Sequence, residues 1–214
     1  MPGPESASTW TVIVGGGSGR RFGRPKQYED LGEGRVIDRA RAMAEQCTDG
    51  VVLVVPAADA EREGGVAGGA TRSESVRAGL AAVPADAGIV CVHDAARPLA
   101  SAALYARVID AVREGADGAV PGVPVTDTIK VVDRRGVVED TPDRASLVAV
   151  QTPQAFRADT LRAAHGEGRD ATDDATLVVA AGGRVVVVAG EPANRKITTP
   201  ADLEWARQHV EAGQ

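Results

Sequence analysis

The stretch VIVGGGSGRRFGRPKQ, from Val12 to Gln27, joins a β-rich run to a glycine-dense turn and then to a group of cations. Glycine adopts backbone conformations that other residues avoid, and its missing side chain lets successive N–H groups approach a ligand closely. Converging N–H groups with nearby cations bind phosphate oxygens. The stretch therefore predicts a phosphate-binding loop that follows the first strand of an α/β protein. Its cations are Arg20, Arg21, Arg24 and Lys26.

The glycine spacing matches neither of two common nucleotide-binding patterns. From Gly17 the sequence reads GSGRRFG, so Gly23 comes one position later than the dinucleotide-binding fingerprint requires. No Gly-Lys-Ser/Thr follows, which excludes the Walker phosphate loop. A solvated turn remains an alternative. The concentration of cations in a chain of net charge -6 favours a small polyanionic ligand over nucleic acid.

Length and composition fit a single α/β domain. The chain has 214 residues, of which 43% are hydrophobic and only 3% aromatic, so its core is built from aliphatic side chains. Cys47 and Cys91 fall in apolar segments, and we expect reduced core residues with no disulfide or metal site. The first residues lack the pattern of a secretory signal, and no run of roughly eighteen apolar residues occurs. We expect a cytoplasmic protein with no membrane partner.

Strands and helices alternate along the first half of the chain. Apolar residues recur at helical spacing from Val36 to Cys47, between β-rich runs at 10–14 and 51–55. A further buried strand is predicted at 89–94, and a helix follows it. This order indicates βαβ units and a mostly parallel sheet with helices on both faces.

Two polar segments are predicted to lie at the carboxyl edge of that sheet. Asp94 ends a strand, where open α/β sheets place ligands, and its carboxylate suits a ribose hydroxyl, Mg²⁺ or a helix N-cap. Gly69 precedes a helix whose Thr71 and Glu74 have capping-box spacing. This turn is either a plain loop or a nucleobase and ribose site that includes Ser75.

The later half contains a predicted hairpin. Two β-branched runs flank the sequence DRRG at 133–136, and the hairpin has too little apolar surface to be stable alone. We therefore expect it to lie against a partner subunit or the rim of the site. Thr172 is predicted to cap a helix from Leu177 onward, and Thr199 with Pro200 begins the terminal helix.

An ordered set of motifs then gives a family resemblance that covers most of the chain. The chain resembles the 2-C-methyl-D-erythritol 4-phosphate cytidylyltransferases of the non-mevalonate isoprenoid pathway. The motifs are the glycine-rich loop with PKQ at 25–27, GG at 68–69, HDAARP at 93–98, TDTIK at 126–130, QTPQ at 151–154, TD at 172–173 and KITTP at 196–200. The family commonly has two alanines where this chain has Gly15 and Gly16.

The resemblance implies a Rossmann-like nucleotidyltransferase fold, in one domain spanning residues 1–214. It also implies a homodimer joined by a protruding β-hairpin arm at about 123–150. The expected reaction joins CTP to 2-C-methyl-D-erythritol 4-phosphate and releases pyrophosphate, with Mg²⁺ or another divalent cation.

The resemblance also assigns roles to individual residues. Arg21 and Lys26 match the cations that stabilise the transition state, while Arg144 and Lys196 match the pair that positions the methylerythritol phosphate. Arg144 is expected to reach across from the other subunit, and Thr128 to lie near the same phosphate. The expected nucleotide contacts are Gly17, Gly19, Gly69, Ser75 and Asp94, with Asp94 also beside the metal.

Three alternatives remain open at this point. A ribitol-5-phosphate cytidylyltransferase has the same chemistry and an unbranched substrate. A sugar-1-phosphate nucleotidyltransferase that uses UTP or GTP would also carry a glycine-rich basic loop and a downstream lysine. A regulatory nucleotide-binding module would keep the fold without turnover, although retention of both Lys26 and Lys196 argues against it.

Overall fold

One mixed β-sheet organises the computed structural model, which describes residues 7–17, 22–166 and 168–212. The strands are β1 (Thr9–Val14), β2 (Gly50–Val55), β3 (Val66–Ala67), β4 (Ile89–Asp94), β5 (Gly118–Pro124), β6 (Val131–Val132), β7 (Val138–Asp140), β8 (Val148–Val150), β9 (Gln154–Arg157) and β10 (Val185–Ala189). Within those ranges the main sheet is eight-stranded and runs β10-β5-β9-β4-β1-β2-β3, with β8 paired to β5.

Most of the neighbouring strands are parallel, as the sequence predicts. β1 lies between β2 and β4 and is parallel to both, with Val12 opposite Val52 and Val92. β10 pairs with β5, and β2 with β3, in the same sense. Two strands run the other way: β9 pairs antiparallel with both β4 and β5, and β8 pairs antiparallel with β5. The predicted βαβ unit at the start of the chain is confirmed.

Helices cover both faces of this sheet. They are α1 (Val36–Cys47), α2 (Ala60–Glu63), α3 (Arg72–Ala82), α4 (Ala102–Arg113), α5 (Ala158–Gly166), α6 (Asp174–Ala180) and α7 (Pro200–Ala212). Leu80, Leu161 and Leu177 bring α3, α5 and α6 into one apolar cluster. Ile37 and Leu104 bring α1 and α4 into the cluster on the opposite face.

Strand β4 shows why the two layers form. All of its residues are buried, and alternate side chains point to opposite faces of a strand. Val90 and Val92 pack with α3 and α5, whereas Ile89 and Cys91 pack with α1 and α4. Full burial of one such aliphatic side chain contributes roughly 1.5–3 kcal/mol. The strand therefore holds Asp94, its last residue, on a firmly packed base.

Two predicted helix caps have different outcomes. Thr71 forms the predicted capping box at α3: its Oγ1 accepts from the N–H of Glu74 at 3.1 Å, and the Glu74 carboxylate accepts from the N–H of Thr71 at 3.1 Å. The prediction that Thr172 caps α6 is wrong. Asp173 is the cap, since its Oδ1 accepts from the N–H of Thr176 at 3.1 Å. Both residue types cap well, so the sequence alone did not separate two adjacent candidates.

The hairpin at 131–140 stands apart from the main sheet. β6 and β7 form a two-stranded sheet of their own, and Oδ1 of Asp133 accepts from the N–H groups of Arg135 and Val137, each at 2.8 Å. The predicted hairpin is thus confirmed, and β8 returns the chain to β5. Its apolar side chains face outward: Ile129, Val131, Val132, Val137 and Val138 are all exposed.

Two further expectations concern the burial of the cysteines and the presence of membrane-spanning helices. Cys91 is fully buried in the core, as predicted, whereas Cys47 is only half-buried, and both are free thiols. Burial raises the pKa of the Cys91 thiol to about 12. Among the residues described, no helix has both the length and the apolar character needed to cross a lipid bilayer.

Candidate active site

A cavity of about 530 Å³ opens where β1 and β4 end. Ligands of open α/β sheets bind at this edge, and the volume lies within the usual range for small-molecule sites. The described lining consists of Val14, Gly15, Gly16, Gly17, Phe22, Lys26, Gln27, Gly69, Ala70, Thr71, Arg72, Ser75, Asp94, Ala95, Ala96, Lys196 and Thr198. The lining therefore combines glycine backbone, small side chains and charged groups.

The start of the glycine loop is held by its neighbours in the sheet. The N–H of Gly15 donates to the carbonyl of Val54 at 2.7 Å, so the chain turns away directly after β1. A Cβ atom at Gly15 would lie 3.2 Å from Cδ1 of Ile37, which leaves little room for a side chain. At Gly16 a Cβ atom would meet only Oγ of Ser75, at an ordinary 3.5 Å. Gly16 and Ser75 of α3 therefore lie side by side on the cavity wall.

Asp94 lies between two cations on the cavity wall. Its Oδ2 accepts from Nζ of Lys196 at 2.6 Å, and its Oδ1 lies 3.5 Å from Nε of Arg72. Burial alone would raise the pKa of Asp94, but Lys196 and Arg72 outweigh burial and hold that pKa well below its usual range. The carboxylate therefore stays ionised at neutral pH. The N-cap interpretation of Asp94 is wrong, because Ser101 caps the helix that follows.

The segment that carries Lys196 is attached to the end of β4. The N–H of Ile197 donates to the carbonyl of Ala96 at 2.8 Å, and the Ile197 side chain is buried against Leu203 of α7. The Lys196 side chain remains 41% exposed. Its backbone is thus fixed while its ammonium group is free to change partners.

His93 precedes Asp94 and has a structural role. Its Nε2 lies 3.1 Å from the carbonyl oxygen of Arg97, which can only accept, so Nε2 carries the proton. Nδ1 then accepts from the hydroxyl of Thr152 at 3.0 Å, and Thr152 Oγ1 in turn accepts from the N–H of Asp94 at 3.0 Å. Burial lowers the pKa of His93 to about 4, so the ring is neutral at pH 7. These contacts connect the HDAARP and QTP motifs and set the direction in which Asp94 leaves the sheet.

Several predicted site residues meet in this cavity. Gly17 and Lys26 contribute from the glycine loop side, Gly69 and Ser75 from the entrance of α3, and Asp94 with Lys196 from the opposite wall. Ser75 is buried and its Oγ donates to the carbonyl of Thr71 at 3.0 Å. A Cβ atom at Gly69 would lie 2.3 Å from Cβ of Glu74, so only glycine fits there.

Other predicted site residues lie elsewhere. Thr128 and Arg144 are exposed on the segment around the hairpin and do not line the cavity of their own chain. Nη1 of Arg144 donates to the carbonyl of Thr126 at 2.8 Å. Gly19 and Arg21 lie outside the described residues.

The sequence did not assign roles to two groups that the structure places at the site. Arg72 lines the cavity, and Asp174 supports it from α6 through an Nη1–Oδ2 contact of 2.8 Å. The available signal was an arginine in the first turn of a helix, where the helix dipole disfavours positive charge. Such a residue requires a compensating anion, although the sequence does not reveal which one.

The expected divalent cation requires oxygen ligands in or beside the cavity. Among the described residues, no group of three or more His, Cys, Asp or Glu side chains is placed to hold a metal. Asp94 nevertheless provides one carboxylate in the cavity wall. Mg²⁺ commonly binds through one or two carboxylates together with substrate phosphates and water. The residues present therefore fit a metal that the nucleotide brings.

Comparison with known proteins decides the family. The family model for 2-C-methyl-D-erythritol 4-phosphate cytidylyltransferase matches residues 9–212. The chain belongs to this family.

Individual relatives of the cytidylyltransferase family agree with that assignment. The chain is 51% identical over 172 residues to the Nocardia farcinica 2-C-methyl-D-erythritol 4-phosphate cytidylyltransferase, covering 80% of this chain and 74% of the relative. It is 46% identical over 215 residues to the Rhodococcus jostii protein of the same name, covering 94% and 95%. The crystal structure of the Anaerococcus prevotii 4-diphosphocytidyl-2C-methyl-D-erythritol synthase superposes with a TM-score of 0.84 at 28% identity, covering 96% and 99%. The predicted family, fold and enzyme class are thus confirmed.

Proposed function

We propose that this cytidylyltransferase-family chain transfers the cytidylyl group of CTP to 2-C-methyl-D-erythritol 4-phosphate. The products are 4-diphosphocytidyl-2-C-methyl-D-erythritol and pyrophosphate. Family membership supports the reaction, and the observation that carries it is the placement of Lys26, Asp94 and Lys196 around one cavity beside a glycine loop.

The chemistry requires positioning and charge neutralisation. An oxygen of the 4-phosphate attacks the α-phosphorus of CTP and forms the new P–O bond. The bond from that phosphorus to the bridging oxygen breaks, and its electron pair leaves with pyrophosphate. A phosphate nucleophile is already anionic at neutral pH, so no general base is needed, which agrees with the buried, neutral His93. Two anions must instead be brought together, and cations with backbone donors do this.

The residues of the cavity divide between the two substrates. Lys26 and Arg21 stabilise the charge that develops on the transferred phosphate, together with backbone N–H groups at Gly17 and Gly19. Gly69 and Ser75 contact the cytosine and ribose, since both lie at the entrance of α3 on the cavity wall.

A divalent cation completes the nucleotide site in this proposal. Asp94 would hold it as the protein's carboxylate ligand, and Mg²⁺ would withdraw charge from the phosphate oxygens. The residues of the chain bind the nucleotide, orient the α-phosphate and keep Asp94 ionised through Lys196 and Arg72.

The methylerythritol phosphate site is proposed to need a second copy of the chain. Lys196 lies in the cavity, whereas Arg144 and Thr128 lie on the exposed arm at about 123–150. The outward-facing valines of the hairpin supply the apolar surface that a homodimer would bury. Arg144 and Thr128 then reach the partner's cavity.

The proposal also covers the domain extent, the location and the partners of the chain. The chain forms one domain over residues 1–214, works in the cytoplasm and acts on small molecules, with no nucleic acid or membrane partner. The cations clustered in the glycine loop of a chain with net charge -6 support a small anionic ligand over nucleic acid.

Pyrophosphate release tests the reaction. The protein is incubated with CTP and Mg²⁺ and either 2-C-methyl-D-erythritol 4-phosphate or ribitol 5-phosphate, and UTP replaces CTP in a parallel series. We expect release with CTP and the branched substrate. Release with ribitol phosphate alone, or with UTP in preference to CTP, would contradict the proposal, and binding of CTP without turnover would favour a regulatory module.

A further inference from the structure

Arg72 is held in the cavity wall by a carboxylate from behind the site. It is the first residue of α3, and its guanidinium contacts Asp94 on one side and Asp174 on the other. The distances are 3.5 Å from Nε to Oδ1 of Asp94 and 2.8 Å from Nη1 to Oδ2 of Asp174. The arginine thus bridges the nucleotide cavity and α6.

Both carboxylate oxygens of Asp174 have partners in the structure. Its side chain is only 1% exposed, and its second oxygen, Oδ1, lies 2.9 Å from Nε2 of His165 on α5. His165 is itself 2% exposed. A buried carboxylate with both oxygens occupied has no freedom to rotate, so it fixes the position of Arg72.

The two cations that contact Asp94 therefore differ in mobility. The side chain of Lys196 is 41% exposed, whereas that of Arg72 is 23% exposed and anchored at its far end. An incoming substrate phosphate would compete with Asp94 for Lys196, because each is an anion within reach of the same ammonium group. Arg72 has no corresponding freedom to leave.

We propose that Asp174 is a positioning residue of the nucleotide site, which anchors Arg72 so that Asp94 stays paired and correctly aimed when Lys196 turns to a substrate phosphate. This inference rests on the proposed function for the roles of Asp94 and Lys196. Asp174 acts only through Arg72. Its effect should therefore appear in nucleotide binding and disappear when Arg72 is changed.

The test uses Asp174→Asn, which keeps the size of the side chain. The amide oxygen can still accept from Arg72, and the amide nitrogen can donate to His165 if the ring changes tautomer. The other ring nitrogen, Nδ1, has no hydrogen-bond partner among the described residues, so either tautomer is possible. The matched control is Asp173→Asn, which removes one charge from the adjacent position, and asparagine caps a helix as well as aspartate does.

Calorimetric binding of CTP with Mg²⁺ is the main measurement, and thermal melting reports the fold. The neutral amide holds Arg72 less strongly than the carboxylate does, because a hydrogen bond between two ionised groups is stronger than one to a neutral acceptor, so we expect Asp174→Asn to raise the Kd for CTP roughly tenfold. We expect Asp173→Asn to bind as the wild type does. In turnover, we expect the KM for CTP to rise while the KM for the second substrate changes little, a split that a general loss of structure would not produce.

A double-mutant cycle tests whether Asp174 affects CTP binding through Arg72. In the Arg72→Met background, which removes the cation that Asp174 holds, Asp174→Asn should change the Kd by less than about twofold, because coupled residues are not additive. Wild-type affinity in Asp174→Asn, or an equal loss in both backgrounds, would overturn the proposal. Should Asp174→Asn fail to fold, Arg72→Met is compared with the Arg72→Met/Asp174→Leu double variant, which leaves no unpaired buried charge.

Equal CTP affinities of Arg72→Met and Arg72→Met/Asp174→Leu support the proposal. A weaker CTP affinity of the double variant contradicts it. The binding measurement does not depend on the second substrate. If the wild type binds CTP but releases no pyrophosphate with methylerythritol phosphate, the proposed reaction fails while the role of Asp174 is still decided.

Discussion

Nζ of Lys196 lies 2.6 Å from Oδ2 of Asp94, and this ion pair forms part of the wall of the cavity at the carboxyl ends of β1 and β4. The pair satisfies both charges before any substrate arrives. A phosphate that approaches Lys196 must therefore exchange one anionic partner for another. The site is arranged for exchange of ionic partners rather than for proton transfer.

Two cations of the glycine loop, Arg21 and Lys26, should be essential for turnover. We expect Lys26→Ala and Arg21→Ala to lower kcat about 10²–10³-fold with the fold intact, the usual cost of losing one preorganised group at a charged transition state. Arg24→Ala is the matched control, since Arg24 is exposed and already paired with Glu29, with Nη2 at 2.7 Å from Oε2. Steady-state pyrophosphate release measures all three. Near-normal turnover in Lys26→Ala and Arg21→Ala would remove both from the mechanism.

If each active site contains residues from both subunits, mixing two inactive variants should restore part of the activity. If Arg144 serves the partner's cavity, a dimer of one Arg144→Ala chain and one Lys26→Ala chain contains one intact site. Random exchange of equal amounts makes about half of the dimers mixed, so activity should recover to about a quarter of the wild-type value.

Each variant incubated alone is the control for that recovery. Sedimentation velocity measures the dimer in the same samples. No recovery from a mixture of dimers that have exchanged subunits would show that Arg144 acts within its own chain or has no role.

Acid should destabilise the protein through His93. The ring has a pKa of about 4 in the folded chain and about 6.5 when unfolded, so the unfolded state binds more protons between these values. Stability is therefore lost as the pH falls from 6.5 toward 4, by roughly 2–3 kcal/mol at pH 4.5. Urea unfolding at pH 7.0 and 4.5 compares the wild type with His93→Gln, which should lose that much less. Identical pH dependence in both proteins would contradict this origin.

Glycine loop geometry predicts that alanine is tolerated at Gly16. Its φ is not in the left-handed region, and the added Cβ would meet only Oγ of Ser75, at 3.5 Å. Reduced freedom of the unfolded chain should then raise the free energy of unfolding by about 0.4–1 kcal/mol. Gly34→Ala is the opposite control, because Gly34 has a φ of 89° and the change should destabilise. A loss of stability in Gly16→Ala, measured by urea unfolding, would show that the loop needs glycine there.

The sequence predicted elements with a strong local pattern. α1 was found because its apolar residues recur at helical spacing, and β4 because it begins with four consecutive apolar residues. Thr71 with Glu74 marks the start of α3 through a contact three residues apart. β9 was missed because four residues, QAFR, carry no detectable period, and its antiparallel pairing depends on two distant strands.

The candidate site was predictable where a motif supplies the chemistry. Lys26, Gly69, Ser75, Asp94 and Lys196 all line the cavity. The support behind them was not predicted, because no local sequence signal joins a residue on α3 to one on α6. That contact depends on how the two helices pack on the same face of the sheet.

The ion pairs Lys196–Asp94 and Arg72–Asp174 each join residues 102 positions apart. Such contacts close long loops and form late, since the entropy of closure must be offset by packing already in place. Neither pair can form until the later residue of the pair has been synthesised and its segment has packed against the sheet. The ion pairs around Asp94 are therefore complete only after the segment before α7 has reached the end of β4.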